Sequence, residues 1–268
     1  SDAFGYNERS EVTDAVVSGL AAEYGYDEIG NSTSYTANSL NQYTQFQYDQ
    51  DGNLLSDGIY SFTYDSSSRL KTVVSNGVLL VTNYYDAKSR RVRKVTPEAT
   101  TVFLYDDWNL IEERIAYANG TTSTIHYYWG KDISGELQGA GGVRGLLYQT
   151  IDDVIYIPCY DNNGNVTKYV DPNGSVVASY TYDAFGKIIG KTGSLADFFR
   201  HRFSTKYIDV ETGFYYYGYR FYHPILMRWL NRDPIGENGG MNLYGFCRNS
   251  SICFSDTLGK TIILTMDS

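Results

Sequence analysis

Two short turns near the C-terminal end of the chain carry the residues best suited to catalysis. Residues 232–236 read RDPIG and residues 256–259 read DTLG, which places Asp233 and Asp256 23 residues apart. Two carboxyl groups held close together cannot both ionise, so one keeps its proton and polarises a carbonyl group while the other activates a water molecule. Asp-x-x-Gly is also a favourable β-turn sequence, and the residues alone favour the simpler interpretation of two structural turns.

Other segments that resemble binding sites lack a required residue. Residues 139–145 (GAGGVRG) resemble a phosphate-binding loop, but Arg144 stands where a third glycine is needed, and no Gly-Lys-Ser or Gly-Lys-Thr follows. Residues 49–53 (DQDGN) resemble a calcium loop, but Leu54 and Tyr60 stand where glycine and glutamate are required. We therefore predict a flexible connector at the first segment and a turn at the second.

The histidines and cysteines show no metal-ligand pattern. The three histidines, at positions 126, 201 and 223, are isolated, which argues against a zinc site. Cys247 and Cys253 either bridge or stay as buried thiols, and the odd number of three cysteines leaves at least one unpaired within the chain. A thiol hydrolase built on Cys159 or Cys247 has no local signature. The sequence predicts neither a metal site nor a cofactor.

The composition excludes several classes of protein. The chain has 268 residues, of which 42% are hydrophobic, and no apolar run approaches the roughly 20 residues of a transmembrane helix. Its 31 acidic residues exceed its 22 basic ones, which argues against a nucleic-acid partner. The 27 tyrosines and 26 glycines, with only 5 prolines, indicate an all-β chain. The start at Ser1, without a leader, is interpreted as that of a fragment or a processed piece.

Internal periodicity is the dominant signal of the sequence. A tyrosine followed by Asp or Asn recurs about every 20 residues, and the fourth residue after each tyrosine is Gly, Ser or Asn. The eight tyrosines are Tyr6, Tyr26, Tyr48, Tyr64, Tyr85, Tyr105, Tyr160 and Tyr182. Asp or Asn at the first place of a four-residue turn bonds to the backbone, while Gly or Asn three places later tolerates a positive φ. Each unit therefore predicts a β-hairpin.

Consecutive hairpins predict one extended sheet, because a hairpin cannot bury its apolar face alone. We expect the eight turns to lie along one continuous curved sheet. The tyrosines then form a structural ladder whose hydroxyls reach water or backbone groups, with a sugar-binding aromatic surface as the alternative. Ser1–Tyr6 begins in the middle of a repeat, so we expect an open sheet edge that makes the isolated chain self-associate in analytical ultracentrifugation.

The repeat units resemble the YD repeats of the RHS family, which includes polymorphic toxins and the C subunits of Tc toxins. The stretch from about Tyr182 to Gly259 resembles the RHS repeat-associated core domain. The matching segments are 202–207 (RFSTKY), 211–222 (ETGFYYYGYRFY), 228–236 (RWLNRDPIG) and 242–246 (NLYGF), and upstream 128–130 (YWG) through 139–142 (GAGG). The resemblance covers essentially the whole chain.

The resemblance implies a spiralling sheet of hairpins that forms part of a hollow β-shell around a C-terminal effector, with the core domain closing one end. It divides the chain into repeats (1–181), core domain (182–260) and a tail or effector stub (261–268). Eight units of two strands at ~4.8 Å span about 77 Å, less than the girth of about 105 Å that a cargo of ~100 residues requires. Further N-terminal repeats are therefore expected, unless the chain is a degenerate remnant.

The resemblance also gives the two Asp turns a role. In RHS proteins the matching aspartates form an aspartyl autoprotease that cuts just after the second turn, with an arginine beside the first aspartate also required. Arg232, Asp233 and Asp256 occupy those three places. We predict that the aspartates meet near Arg232 and that cleavage falls close to Gly259–Lys260. Thr257 replaces the usual proline and Lys260 the usual apolar residue, which affects how the bond is presented.

The leading hypothesis is the shell and core of a secreted or cell-surface bacterial toxin carrier that releases its effector by one-turnover self-cleavage. Its partners are then its own effector or further N-terminal repeats, together with an immunity or secretion partner. The alternative is a cell-surface adhesion or carbohydrate-binding module without cleavage. A domain of about 80 residues after Ser268 in the parent gene would favour the carrier, and an N-terminal anchor the adhesin.

Overall fold

The computed structural model describes residues 2–260 and 262–264, and within them the chain is all-β, as expected. The strands are β1 (Ala3–Tyr6), β2 (Val12–Val17), β3 (Leu20–Glu23), β4 (Gln47–Tyr48), β5 (Leu54–Ser56), β6 (Tyr60–Tyr64), β7 (Leu70–Ser75), β8 (Val78–Tyr85), β9 (Arg91–Val95), β10 (Ala99–Asp106), β11 (Asn109–Tyr117), β12 (Thr122–Trp129), β13 (Leu146–Ile151), β14 (Val154–Tyr160), β15 (Val166–Val170), β16 (Val176–Tyr182), β17 (Ile188–Thr192), β18 (Tyr207–Asp209), β19 (Phe214–Tyr216), β20 (Phe221–His223), β21 (Arg228–Trp229), β22 (Phe254–Asp256) and β23 (Ile262–Leu264). Short 3₁₀ turns lie at Phe203–Thr205, Gly236–Gly239 and Cys247–Asn249.

Strands β4 to β17 form one 14-stranded sheet in which every strand pairs with its neighbour in sequence. All of these pairings are antiparallel, so the sheet is a continuous run of hairpins. This meander follows from the repeat, because a period of about 20 residues holds two strands and two turns. No helix among the described residues is long and apolar enough to cross a membrane.

The repeated turn is held by its own aspartate. Asp65 Oδ1 accepts hydrogen bonds from the backbone N–H groups of Ser67 and Arg69 at 2.9 and 3.1 Å, and Ser68 has a φ of 56°. The fourth residue after the tyrosine has a positive φ in seven of the eight units, at Ser10, Gly30, Gly52, Ser68, Ser89, Gly164 and Gly186. The turn chemistry predicted from the sequence is therefore present in those seven units.

The unit at Tyr105 departs from the prediction. Asp106 pairs directly with Asn109, and Asp107, with a φ of 46°, supplies the positive φ instead. Tyr105 pairs with Leu110, five residues on, where the other units pair six residues on, so this turn is one residue shorter and Asn109 is the first residue of β11. Conversely, Asn38 forms the same turn without a preceding tyrosine, accepting from the N–H groups of Leu40 and Gln42 at 2.9 and 3.0 Å.

The expectation of one continuous sheet is wrong for the first two units. Tyr6 lies in a separate three-stranded sheet, β1–β3, and Tyr26 makes only an isolated bridge to Ser32. The turns at Asp27, Asn38 and Asp49 follow one another at 11-residue intervals, about half the usual period. That spacing leaves too few residues between turns for two strands of ordinary length.

Five of the eight repeat tyrosines form the expected ladder, with hydroxyls that donate to backbone carbonyls of the preceding unit. Tyr85 donates to the carbonyl of Leu70 at 2.7 Å, and Tyr182 donates to that of Val166 at 2.6 Å. The equivalent bonds run from Tyr26 to Val12, Tyr105 to Arg91 and Tyr160 to Leu146. In these five units the hydroxyl satisfies a backbone carbonyl group. The hydroxyl of Tyr48 instead accepts from the N–H of Tyr43, and that of Tyr64 has no hydrogen-bond partner among the described residues.

The C-terminal part of the chain packs as a second layer against one face of the main sheet. It contains the four-stranded sheet β18–β21 and many buried aromatic residues. The shared core includes Phe62, Val81, Phe103 and Ile125 from the main sheet and Tyr207, Phe214 and Phe221 from the second layer. Across the same interface, Asp209 lies 2.6 Å from Arg91 Nη1 and 3.2 Å from Lys94 Nζ, so each buried charge has a partner.

The domain boundary between the repeats and the core domain, at residues 181 and 182, stays a prediction. The 14-stranded sheet continues past it to Thr192. Of the predicted tail 261–268, only Ile262–Leu264 is described, as β23, and the other positions lie outside the described residues.

All three cysteines are free thiols, which decides against the Cys247–Cys253 bridge.

Candidate functional site

Asp233 and Asp256 converge on a single guanidinium group, that of Arg220. Arg220 Nη2 lies 2.7 Å from Asp233 Oδ2 and 3.7 Å from Asp256 Oδ2. The exposed fraction of the arginine side chain is 1%, so the ion pairs are shielded from solvent. The predicted meeting of the two aspartates therefore occurs in the fold.

Arg232, the arginine that the resemblance assigns to the site, makes no ion pair with either aspartate among the described residues. Its Nε faces the turn at Gly52, where an added Cβ would collide with it, and this buried nitrogen has no hydrogen-bond partner among the described residues. The catalytic role of Arg232 stays a prediction.

Arg220 was missed by the sequence analysis, although a signal was present. It is the one charged residue in the aromatic segment 214–222 (FYYYGYRFY). A charge in a segment bound for the core needs a buried partner of opposite charge. Arg220 stacks over the ring of Trp229 at 4.2 Å, which holds the guanidinium plane in place.

The second Asp turn is held by its own aspartate. Asp256 Oδ1 accepts hydrogen bonds from the backbone N–H groups of Gly259 and Lys260 at 2.6 and 2.9 Å. Gly259 has a φ of 78°, a conformation that favours glycine. Asp256 is therefore both the first residue of the turn and a direct neighbour of the Lys260 nitrogen.

Three consecutive carbonyl groups of this turn receive donors from the core. The Thr257 oxygen accepts from Lys206 Nζ at 2.6 Å, and the Leu258 oxygen from the N–H of Tyr219 at 3.0 Å. The Gly259 oxygen accepts from Arg220 Nε. The turn is thus fixed by contacts along its whole length, without the proline that Thr257 replaces.

The glycine-rich segment 139–145 is a folded support for this turn, not the predicted flexible connector. Ala140 and Gly142 donate their N–H groups to Asp132 Oδ2 at 2.7 and 3.1 Å, and Ala140 is fully buried. Gly141 touches the Thr257 carbonyl so closely that a Cβ would collide with it. Here the glycines allow the backbones of two segments to approach each other.

The two carboxyl groups have different surroundings. Burial raises the pKa of Asp256, and the positive charges of Arg220 and Lys206 only partly oppose this. The exposed fraction of the Asp233 side chain is 10%, compared with 2% for Asp256. Asp256 is therefore the better candidate to hold a proton, and Asp233 the carboxylate nearer to solvent.

The histidines and the Asp49 turn that the sequence analysis considered as metal sites have contacts typical of structural residues. His201 packs edge-on against Tyr127, and burial lowers its pKa to about 3. His223 lies 3.3 Å from the Asp57 carboxylate in the core. Asp49 forms an ordinary Asx turn, with its Oδ1 accepting from the N–H of Asn53 at 2.8 Å.

Comparisons of the sequence with known proteins find toxins and nucleases. The tRNA nuclease WapA of Bacillus subtilis (strain 168) is 29% identical over 278 residues, which cover 93% of this chain and 11% of WapA. Double-stranded DNA deaminase toxin A of Burkholderia cenocepacia is 28% identical over 266 residues, covering 85% of this chain and 18% of that protein. Toxin subunit YenC2 of Yersinia entomophaga is 35% identical over 106 residues, which cover 37% of this chain and 10% of YenC2. The chain thus spans less than a fifth of the length of these relatives.

Solved structures show the same fold. The crystal structure of TcdB2-TccC3-TEV matches 96% of this chain with a TM-score of 0.77 and 17% identity, over 15% of its own chain. The crystal structure of TcdB2-TccC3-Cdc42 matches 97% of this chain with a TM-score of 0.75 and 18% identity, and the match covers 15% of its own chain. The Teneurin YD-shell family model matches residues 2–251. Since that match covers most of the sequence, and since the turn and tyrosine ladder are those of a YD repeat, the chain belongs to the YD-shell family.

Proposed function

We propose that this chain is a shell section of a secreted bacterial toxin carrier that encloses an effector and frees it by cutting its own backbone between Gly259 and Lys260. One observation carries the proposal. The peptide unit between these residues is bonded on both sides by the charged cluster, its carbonyl oxygen by Arg220 Nε and its N–H by Asp256 Oδ1. Buried arginines bond to carbonyl groups elsewhere in this fold, as Arg228 does to Asn41, but the guanidinium of Arg220 also contacts both carboxylates.

The two aspartates and Arg220 can together hydrolyse the peptide bond between Gly259 and Lys260. Asp233 takes a proton from a water molecule, whose oxygen adds to the carbonyl carbon of Gly259. Arg220 stabilises the negative charge that develops on the carbonyl oxygen. Asp256, whose pKa is raised by burial, gives a proton to the Lys260 nitrogen as the carbon–nitrogen bond breaks. The products are a carboxyl group on Gly259 and an amino group on Lys260.

The carrier role is supported by the toxins and nucleases among the relatives. Each aligned region covers less than a fifth of these proteins, so the effector, its target, an immunity partner and the route of secretion are part of the proposal and not observations. The chemistry at Gly259 can be tested independently of all of them.

The test is intact mass under denaturing conditions of a chain extended past Ser268 by a folded reporter domain. The wild type should yield a fragment that ends at Gly259, and the Asp233→Asn and Asp256→Asn variants should stay intact, because Asn keeps the shape but not the acid–base role. Asp86→Asn is the matched control, since Asp86 holds an equivalent turn away from Arg220. An uncut wild type, or cutting in both Asn variants, would reject self-cleavage and leave the adhesion module as the alternative.

A further inference from the structure

The bond between Gly259 and Lys260 lies in the turn of a β-hairpin. The strands of that hairpin are β22 and β23, with Asp256 opposite Ile262 and Phe254 opposite Leu264. The aspartate that contacts the bond and the chain that follows the bond are thus paired backbone to backbone. This pairing fixes how far Lys260 can move from Asp256.

Strand β22 is a rigid template. Ser255 and Asp256 are each 1% exposed. The N–H groups of Cys253 and Phe254 donate to the Ser250 carbonyl at 3.0 and 2.9 Å, which ties the start of the strand to the preceding turn. Among the strands of residues 2–260 and 262–264, β23 pairs with β22 alone, so its placement depends on that one edge.

The residue opposite Asp256 faces a cleft. Ile262 is half-buried and borders a cleft of about 230 Å³. The other lining residues include Ile29, Met241, Arg9, Glu28 and Arg248. The cleft thus combines an apolar part with charged residues of both signs. An aliphatic side chain at position 262 can pack against the apolar residues of the cleft, whereas a carboxylate there would lose that apolar contact.

We propose that the chain after the cut is recognised as a strand added to β22, and that the cleft selects an aliphatic residue three places after Gly259. Main-chain pairing supplies most of this recognition, so effectors of unrelated sequence can follow the same shell. The proposal rests on the proposed self-cleavage. Ile262 acts as a positioning residue, because its side chain carries no group that could act as an acid or a base.

The pairing also accounts for release. Before the cut, the turn covalently joins β23 to β22. After the cut, a strand of three residues paired on one edge is only marginally stable, so it can leave its template. Cleavage and strand departure are then two steps with separate rates.

The first experiment compares Ile262→Asp with Ile262→Val in the extended chain. We expect the Asp variant to form the Gly259 fragment about tenfold more slowly, which corresponds to ~1.4 kcal/mol in the barrier, and the Val variant to cut at nearly the wild-type rate. The pH profile of the Val variant should keep its shape. The Asp variant places a second carboxyl group opposite Asp256 and should raise the pKa of Asp256, so the rates are compared at the maximum of each profile. Melting temperatures near that of the wild type would exclude a general loss of folding. Equal rates for the Asp and Val variants would overturn the proposal.

The second experiment separates strand recognition from cleavage. In an uncut Asp233→Asn background, hydrogen exchange of residues 254–256 should be slow, and Ile262→Asp should make it faster. Unchanged exchange would also overturn the proposal. If the wild type fails to cut while exchange responds to Ile262→Asp, self-cleavage is wrong and strand recognition stands.

Discussion

Lys206 Nζ lies 2.6 Å from the carbonyl oxygen of Thr257, in a part of the core where the lysine is almost fully shielded from solvent. The same nitrogen donates to the carbonyl of Gly141 at 2.7 Å. The amine thus joins the glycine-rich segment to the turn that holds the proposed cleavage bond. Burial lowers the pKa of Lys206 to about 8, although Asp256 and Asp132 oppose the shift.

The lowered pKa of Lys206 predicts that its contribution to stability rises with pH between about 8 and 10.5, the usual lysine value. Below about pH 8 both states carry the proton, and the folded state bears the cost of a buried charge. Above it the folded state loses a proton that the unfolded state keeps, so the free energy of unfolding increases, by at most about 3 kcal/mol. Urea unfolding of wild type and Lys206→Gln across this range isolates the effect. A pH-independent difference between the two would contradict it.

Replacing Arg220 should affect cleavage more than replacing Arg232. Arg220→Lys loses the donor at the Gly259 carbonyl and should slow cutting by roughly 10²- to 10³-fold. Arg232→Lys, next to Gly52, should leave the rate within a few-fold of the wild type. Fragment formation over time, measured by intact mass, compares the two. The reverse order would restore Arg232 to the role that the family resemblance implies.

Adding a Cβ at Gly141 should destabilise the site beyond the ordinary cost of a positive φ. Gly141→Ala would collide with the Thr257 carbonyl, whereas Gly58→Ala, also at a positive φ, meets no atom within 4 Å. Both variants bear a backbone cost of about 1 kcal/mol, so their difference reports the collision. We expect the larger loss of unfolding free energy, together with slower cleavage, for Gly141→Ala. Equal losses would show that the two backbones can separate without cost.

Removing a hydroxyl from the tyrosine ladder should cost about 1–2 kcal/mol, since it leaves a buried carbonyl unpaired. Tyr182→Phe removes the bond to the Val166 carbonyl without changing ring packing. Tyr84→Phe is the control, because that ring is 40% exposed. Chemical unfolding measures the free energy of unfolding of both variants. A Tyr182→Phe variant as stable as the control would mean that the ladder stabilises through ring packing alone.

The repeat could be predicted from the sequence because its turn is local. The carboxylate of Asp65 bonds to N–H groups two and four residues later, so residue type and spacing are sufficient to identify the turn. Where spacing changes, this local inference fails. The 11-residue intervals from Asp27 to Asp49 do not leave room for hairpins, and Asp106 closes a shorter turn.

Residue types and family resemblance also identified the two aspartates, but the arginine between them depended on tertiary structure. Arg220 contacts Asp233, Asp256 and the Gly259 carbonyl, which are 13 to 39 residues away in sequence. No local spacing encodes such a meeting, because it arises from the packing of β20 against two turns. Sequence by itself therefore determined the hairpins and the acidic pair. The packed core decided which cation faces that pair, since a charge can be buried only where the fold provides its partners.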